Sequence, residues 1–213
     1  MNRCDFSYEK KLWKKYKVVA GVDEVGRGCF AGPVVAGCVV FPRDTKYKIP
    51  DTISIDDSKK LRPRERETSA RWIKKNALAY GIGEASTALI NRKGIKKASE
   101  VAFRKAIKAV NLKLHFVLID AFYIPYVKGL RRKNQKAIIN GDEKSISIAA
   151  ASIIAKVYRD KLMTHLSKES KYKNYGWGRN KGYGTREHQG AIKKYGITRY
   201  HRKQFVETYL GNH

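Results

Sequence analysis

The stretch VVAGVDEVGRGCFAGPVVAGCVVF, Val18 to Phe41, decides how the chain is read. Two apolar, β-branched runs flank a glycine-arginine-glycine turn, so Val18–Glu24 and Val34–Phe41 are expected to be strands in a hairpin-like pair. The first run ends in two adjacent acids, Asp23 and Glu24. Neighbouring residues of a regular strand point to opposite faces. Both carboxylates therefore reach one site only if the strand ends or bulges there, which the Gly26-Arg27-Gly28 turn would allow.

Outward from this pair, Pro63 suits a helix start, and Arg64 to Ala79 carries Trp72, Ile73 and Ala77 on one face. Tyr80–Ala85 reads as a third strand. Ile95, Ala98, Ala102, Ala106 and Val110 recur at helical spacing. His115–Asp120 is an apolar run ending in an acid, as in a strand buried on both faces. Ala137–Asn140 is expected to be a short fifth strand and Ser145–Leu166 the longest helix. An initial strand pair followed by strands alternating with helices indicates an α/β layer with a mixed sheet. Beyond Lys168 the chain turns rich in Tyr, Gly and Lys, suggesting an appendage of loops and short helices. The organisation expected is a basic N-terminal segment over 1–17, a catalytic domain over 18–168 and a C-terminal substrate-binding region over 169–213.

With 213 residues and a formal net charge of +27, the chain carries more positive charge than solubility demands. That excess points to a polyanionic partner, nucleic acid or an acidic surface. The longest apolar run, Ala31 to Phe41, is too short to span a bilayer, which argues against membrane insertion. The N-terminus has no secretory pattern, and Cys4, Cys29 and Cys38 lack metal-ligand spacing. A reduced, cytoplasmic monomer is the expectation, with Cys29 and Cys38 filling core space.

Acids fall at the expected carboxyl ends of strands in three places, at Asp23 with Glu24, at Asp120 and at Asp142. Ligands of open α/β sheets bind at those strand ends. Taken singly, Asp120 reads equally well as a solvated strand end, and Asp142 as a favourable charge at a helix N-terminus. Together they need an explanation, because two like charges about 4 Å apart repel by about 4 kcal/mol near a protein surface. Divalent cations reverse that sign, and hard cations take oxygen ligands. A pair of ions at such a site serves in-line phosphoryl displacement.

The segments GVDEVGRG, AGPVV, DDSKKL at Asp56–Leu61, GDEKSISIAAASIIAKVYRD at Gly141–Asp160 and KGYGTREH at Lys181–His188 closely resemble bacterial ribonuclease HII. The similarity runs in order from about Val18 to Phe205. It implies a ribonuclease H-like fold, a mixed five-stranded sheet flanked by helices with a C-terminal helical part. It also implies hydrolysis of the RNA strand of RNA–DNA hybrids and incision beside single ribonucleotides in duplex DNA, leaving 3′-hydroxyl and 5′-phosphate ends. The implied cofactor is Mg²⁺ or Mn²⁺, two ions in the active complex, held by Asp23, Glu24, Asp120 and Asp142. The backbone of Gly26, Arg27 and Gly28 is implied to meet the ribose 2′-hydroxyl, the group that separates RNA from DNA. Tyr183 is implied to sense the junction; as a turn residue it would otherwise be read as packing against the domain. Lys59 and Lys60 resemble phosphate contacts. The family usually has glycine after the third acid, whereas Ala121 stands here, and alanine resists a positive φ. Asp142 in place of a glutamate, and the shortness of the chain before Val18, favour type HII over type HIII, with Glu143 a bystander.

Two rivals deserve weighing. Gly26, Gly28 and Ala31 satisfy a dinucleotide-binding pattern, but that fingerprint needs a helix at the glycines, and Pro33 with the β-branched run beyond it indicates a strand. A non-enzymatic nucleic-acid-binding module would use the charge equally well, with Glu187–Tyr195 and Thr198–Phe205 imitating a helix-turn-helix. It gives no reason for acids at strand ends.

Overall fold

The computed structural model describes residues 4–43 and 49–211. A short helix, α1 (Ser7–Trp13), precedes the strands β1 (Val19–Val25) and β2 (Val34–Val40), which pair antiparallel as the hydrophobic pattern requires. Then come α2 (Pro63–Asn76), β3 (Ala79–Ala85), α3 (Thr87–Ala109), β4 (Phe116–Asp120), β5 (Gln135–Ile138) and α4 (Ile146–Leu166). The C-terminal region adds α5 (Trp177–Asn180), α6 (Arg186–Tyr195) and α7 (Lys203–Gly211). The sheet is mixed and five-stranded in the order β3-β2-β1-β4-β5, with β4 and β5 parallel to β1.

Alternation along the strands sorts the core into two layers. Ala20, Val22, Ala36 and Cys38 face α3, which buries Ala98, Ala102 and Ala106 against them. On the opposite face lies α4, whose Ala149 to Ile154 run is buried almost all round. Gly21 and Gly37 allow this closeness: a Cβ on either would lie 2.1 and 2.2 Å from α4 backbone atoms. The N-terminus of α4 is held by Glu9 of α1, a fully buried carboxylate that accepts the Ser145 hydroxyl (2.6 Å) and the Ser147 amide (2.9 Å). A negative group suits the positive end of a helix.

Boundaries moved where side-chain pattern does not fix them. The α3 helix begins eight residues before Ile95, at Thr87, with Ser86 accepting the Leu89 amide; Gly94 kinks it with φ 77°, and its 23 residues exceed the 21 of α4, which was expected to be the longest. The β5 strand ends at Ile138, not Asn140, since Ile139 is exposed and Asn140 turns left-handed at φ 54°. The second half of the imagined helix-turn-helix is helical only from Lys203. Among the described residues, no helix is long and apolar enough to cross a membrane.

Candidate active site

β1 does not end or bulge at Glu24, so the condition expected for a shared site is not met, yet Asp23 and Glu24 both feel the charge of Asp120. The antiparallel register of β1 with β2 continues through Asp23↔Gly37, Glu24↔Ala36 and Val25↔Val35. What stops is the other side: pairing with β4 ends at Val22↔Ile119. Asp23, Glu24 and Asp120 therefore follow the last residue pair shared by two central, parallel strands. Asp23 points to the α4 face, where the Ser152 hydroxyl donates to it. Ser58 stands 3.0 Å from Ser152, so the Asp56–Leu61 segment reaches Asp23 through a chain of hydroxyls. Glu24 points to the other face and pairs with Arg27 at 3.0 Å. The Arg27 guanidinium lies 5.0 Å from the Phe122 ring centroid, on the α3 side.

Asp142 arrives from a different element, a 3₁₀ turn over Gly141–Glu143 ahead of α4. Asp120 accepts the Gly141 amide at 2.7 Å, which ties the end of β4 to that turn. The expected departure after Asp120 is resolved in an unexpected sense: Ala121 takes the left-handed conformation, φ 63°, although it has a Cβ. Two hydrogen bonds hold it there, Ala121 N–H to Ile138 C=O (3.0 Å) and Phe122 N–H to Asp120 C=O (2.8 Å).

The acids sense one another. Burial pushes the Asp23 carboxyl well above its ordinary range, and Glu24, Asp120 and Asp142 push the same way. Glu24 is raised by burial, with Arg27 opposing and Asp120 adding to the rise. Asp142 is pushed up to about 6 by burial, then by Asp57 and Asp120, with Lys59 pulling it back. Neutralising this charge calls for a cation, and an all-oxygen donor set suits a hard one. Among the described residues, no group of three or more Asp, Glu, His or Cys side chains is by itself placed to hold a metal ion. Mg²⁺ is characteristically held by one or two carboxylates with waters and substrate phosphates, so an open set fits it.

Around the acids, Lys59 is largely exposed, with its Nζ 3.8 Å from Asp57. Lys60 bridges Asp56 (3.5 Å) and Glu143 (2.9 Å), giving Glu143 a part in joining two site segments. Gly28 is exposed, and a Cβ there would meet no protein atom within 4 Å, whereas Gly26 lies against Arg159. Tyr183 is 37% exposed; its hydroxyl bonds to Cys29, and its pKa rises to about 12 through burial and that neighbour. Sequence reasoning missed Asp57, Ser152, Arg159 and Arg202. The available signal for Ser152 was a hydroxyl inside an otherwise apolar helical run.

The sequence model of the family described as Ribonuclease HII matches residues 20–208. A ribonuclease HII of Caldanaerobacter subterraneus is 47% identical over 204 residues, covering 95% of this chain and 80% of its own. One from Wolbachia pipientis is 46% identical over 207 residues, covering 97% and 98%. The Archaeoglobus fulgidus ribonuclease HII, solved in complex with PCNA, superposes with a TM-score of 0.70 at 26% identity, covering 87% of this chain and 93% of that one.

Proposed function

The chain belongs to the ribonuclease HII family, and on that premise we propose that it hydrolyses the RNA strand of RNA–DNA hybrids and incises 5′ to single ribonucleotides in duplex DNA. It is a ribonuclease H-type endonuclease; the substrate detail is the proposal. Its main support is the set of four carboxylates at two adjacent strand ends and the turn before α4, three of them raised in pKa by burial and by their neighbours. A non-catalytic module has no use for that electrostatic cost in a chain of charge +27.

In this reading Asp23, Glu24, Asp120 and Asp142 would hold Mg²⁺ or Mn²⁺. When bound, the cation supplies charge neutralisation and Lewis acidity at the scissile phosphate. The chain's own residues bind and orient. The Gly26-Arg27-Gly28 backbone meets the ribose, with exposed Gly28 leaving room for close approach. Lys59 contacts phosphate, and the Tyr183 ring stacks against the sugar beside the ribonucleotide. Residues 18–168 act as the catalytic unit, and 169–213 as the substrate-binding region. The direct test incubates the protein with a duplex containing one ribonucleotide, with and without Mg²⁺. Metal-dependent incision leaving a 3′-hydroxyl is expected; binding without incision would sink the proposal.

A further inference from the structure

Among the described residues, two arginines of the core have no carboxylate partner. Arg159 of α4 and Arg202, just before α7, are both fully buried, and among the described residues neither forms an ion pair. Lone buried charges are costly, and they persist where dipoles replace the lost water. Among the described residues, each hydrogen bond these guanidiniums donate goes to a main-chain carbonyl. Arg159 donates to Pro33 (3.0 Å), Ala31 (2.9 Å) and Lys181 (2.8 Å). Arg202 donates twice to Gly32 (3.0 and 2.9 Å) and once to Arg27 (2.7 Å).

These carbonyls belong to two segments far apart in sequence. One is the loop 26–33, containing the proposed ribose-reading glycines; the other is 180–184, which carries Tyr183. The segments also bond directly, Phe30 and Ala31 amides to Gly182 C=O at 2.8 and 3.1 Å. A Cβ on Gly26 would lie 2.2 Å from Arg159 Nε, and one on Gly184 would lie 2.6 Å from the Phe30 ring. The Tyr183 ring centroid is 5.9 Å from the Arg159 guanidinium carbon.

We propose that Arg159 and Arg202 are positioning residues, Arg159 welding the loop 26–33 to the Tyr183 segment and Arg202 bracing that same loop from the start of α7, so that the ribose and the adjoining deoxyribose are read by one rigid unit. The idea rests on the proposed substrate reading. A guanidinium fork is required because its donors lie in one plane and reach several carbonyls at once, which a lysine ammonium of equal charge does not. Pinning reading groups on both sides of a junction limits cleavage to substrates that present both sugars in the right relation.

The test uses Arg159→Lys and Arg202→Lys, which retain charge. Single-turnover cleavage and binding are measured on a single-ribonucleotide duplex and on a long hybrid. Affinity should stay within about threefold, while the single-ribonucleotide rate falls at least tenfold more than the hybrid rate. In a Tyr183→Ala background, Arg159→Lys should change that ratio no further, because residues acting as a unit are non-additive. Lysine variants with the wild-type ratio would overturn the positioning role. A wild type that cleaves neither substrate would instead overturn the substrate reading. Should the variants not fold, wild-type hydrogen exchange decides: the amides of residues 30–32 and 182–183 should open together with equal protection. A loop that opens far more readily than the Tyr183 segment refutes the weld.

Discussion

Acid should expose a buried histidine pair that supports Tyr183. The proton positions in this pair are dictated by its donors. His201 Nδ1 accepts the Thr198 amide at 2.8 Å, so its proton sits on Nε2 and points at His188 Nε2, 3.1 Å away. That same His188 nitrogen accepts the Trp177 indole N–H at 3.0 Å. His188 must then carry its proton on Nδ1, donating to the Tyr183 carbonyl at 2.9 Å. Both imidazoles are buried and both must be neutral, since another proton would face a donor. Burial, aided by His188, lowers the His201 pKa to about 4, and burial also lowers that of His188.

A folded pKa below the unfolded value of about 6.5 means the unfolded state binds more protons in between. The stability His201 contributes is complete above about pH 6.5 and is lost as pH falls towards its folded pKa of about 4. From pH 7.5 to 4.5 the loss is roughly 2.5 kcal/mol for His201 alone. Total stability will not display it, because Asp142, raised to about 6, titrates in the same window with opposite sign. A difference measurement removes that term. His201→Gln keeps a donor towards His188 and cannot titrate. Urea unfolding at fixed salt should show the variant less stable at pH 7.5, with the gap narrowing by roughly 2.5 kcal/mol by pH 4.5. Parallel stability curves for the two proteins would refute the neutral pair.

Asp23→Asn should abolish cleavage while leaving hybrid binding unchanged or tighter, since it removes negative charge near phosphates; gel-shift and cleavage assays together check this, and lost binding with retained turnover would contradict it. Ala121→Gly should raise stability by about 1 kcal/mol, because the left-handed backbone at φ 63° penalises a Cβ. Its melting temperature is the readout, and a lower one would mean the alanine methyl contributes packing that outweighs the strain. Tyr183→Ala should impair incision at isolated ribonucleotides more than cleavage of long hybrids; equal losses on both would remove its junction role.

Much of the fold is legible in the amino-acid sequence. Strand and helix types follow from apolar periodicity, a local property, so the β1–β2 pair, the buried β4 and the long α4 stand where the pattern put them. The glycines after Glu24 were read as a turn into a strand, and β2 indeed begins at Val34. Boundaries set by backbone conformation were less visible, as at Gly94 and Asn140, because a positive φ leaves little trace in hydropathy. Ala121 shows the same limit from the other side: intrinsic preference argues against its φ, and one tertiary hydrogen bond to Ile138 with one local turn bond overrides it.

Element types, the basic character and the acids near strand ends can be read from the chain alone, because each depends on residues adjacent along it. The packed fold settled that β1 runs unbroken through Asp23 and Glu24, and that it loses its β4 partner just before them. It also decided that Arg159 and Arg202 grip carbonyls of loop 26–33, up to 175 residues away in sequence. Such contacts come from strand register and from how closely α4 approaches Gly21 and Gly37. Register and approach are settled by the packing of all layers at once, and no local pattern encodes them.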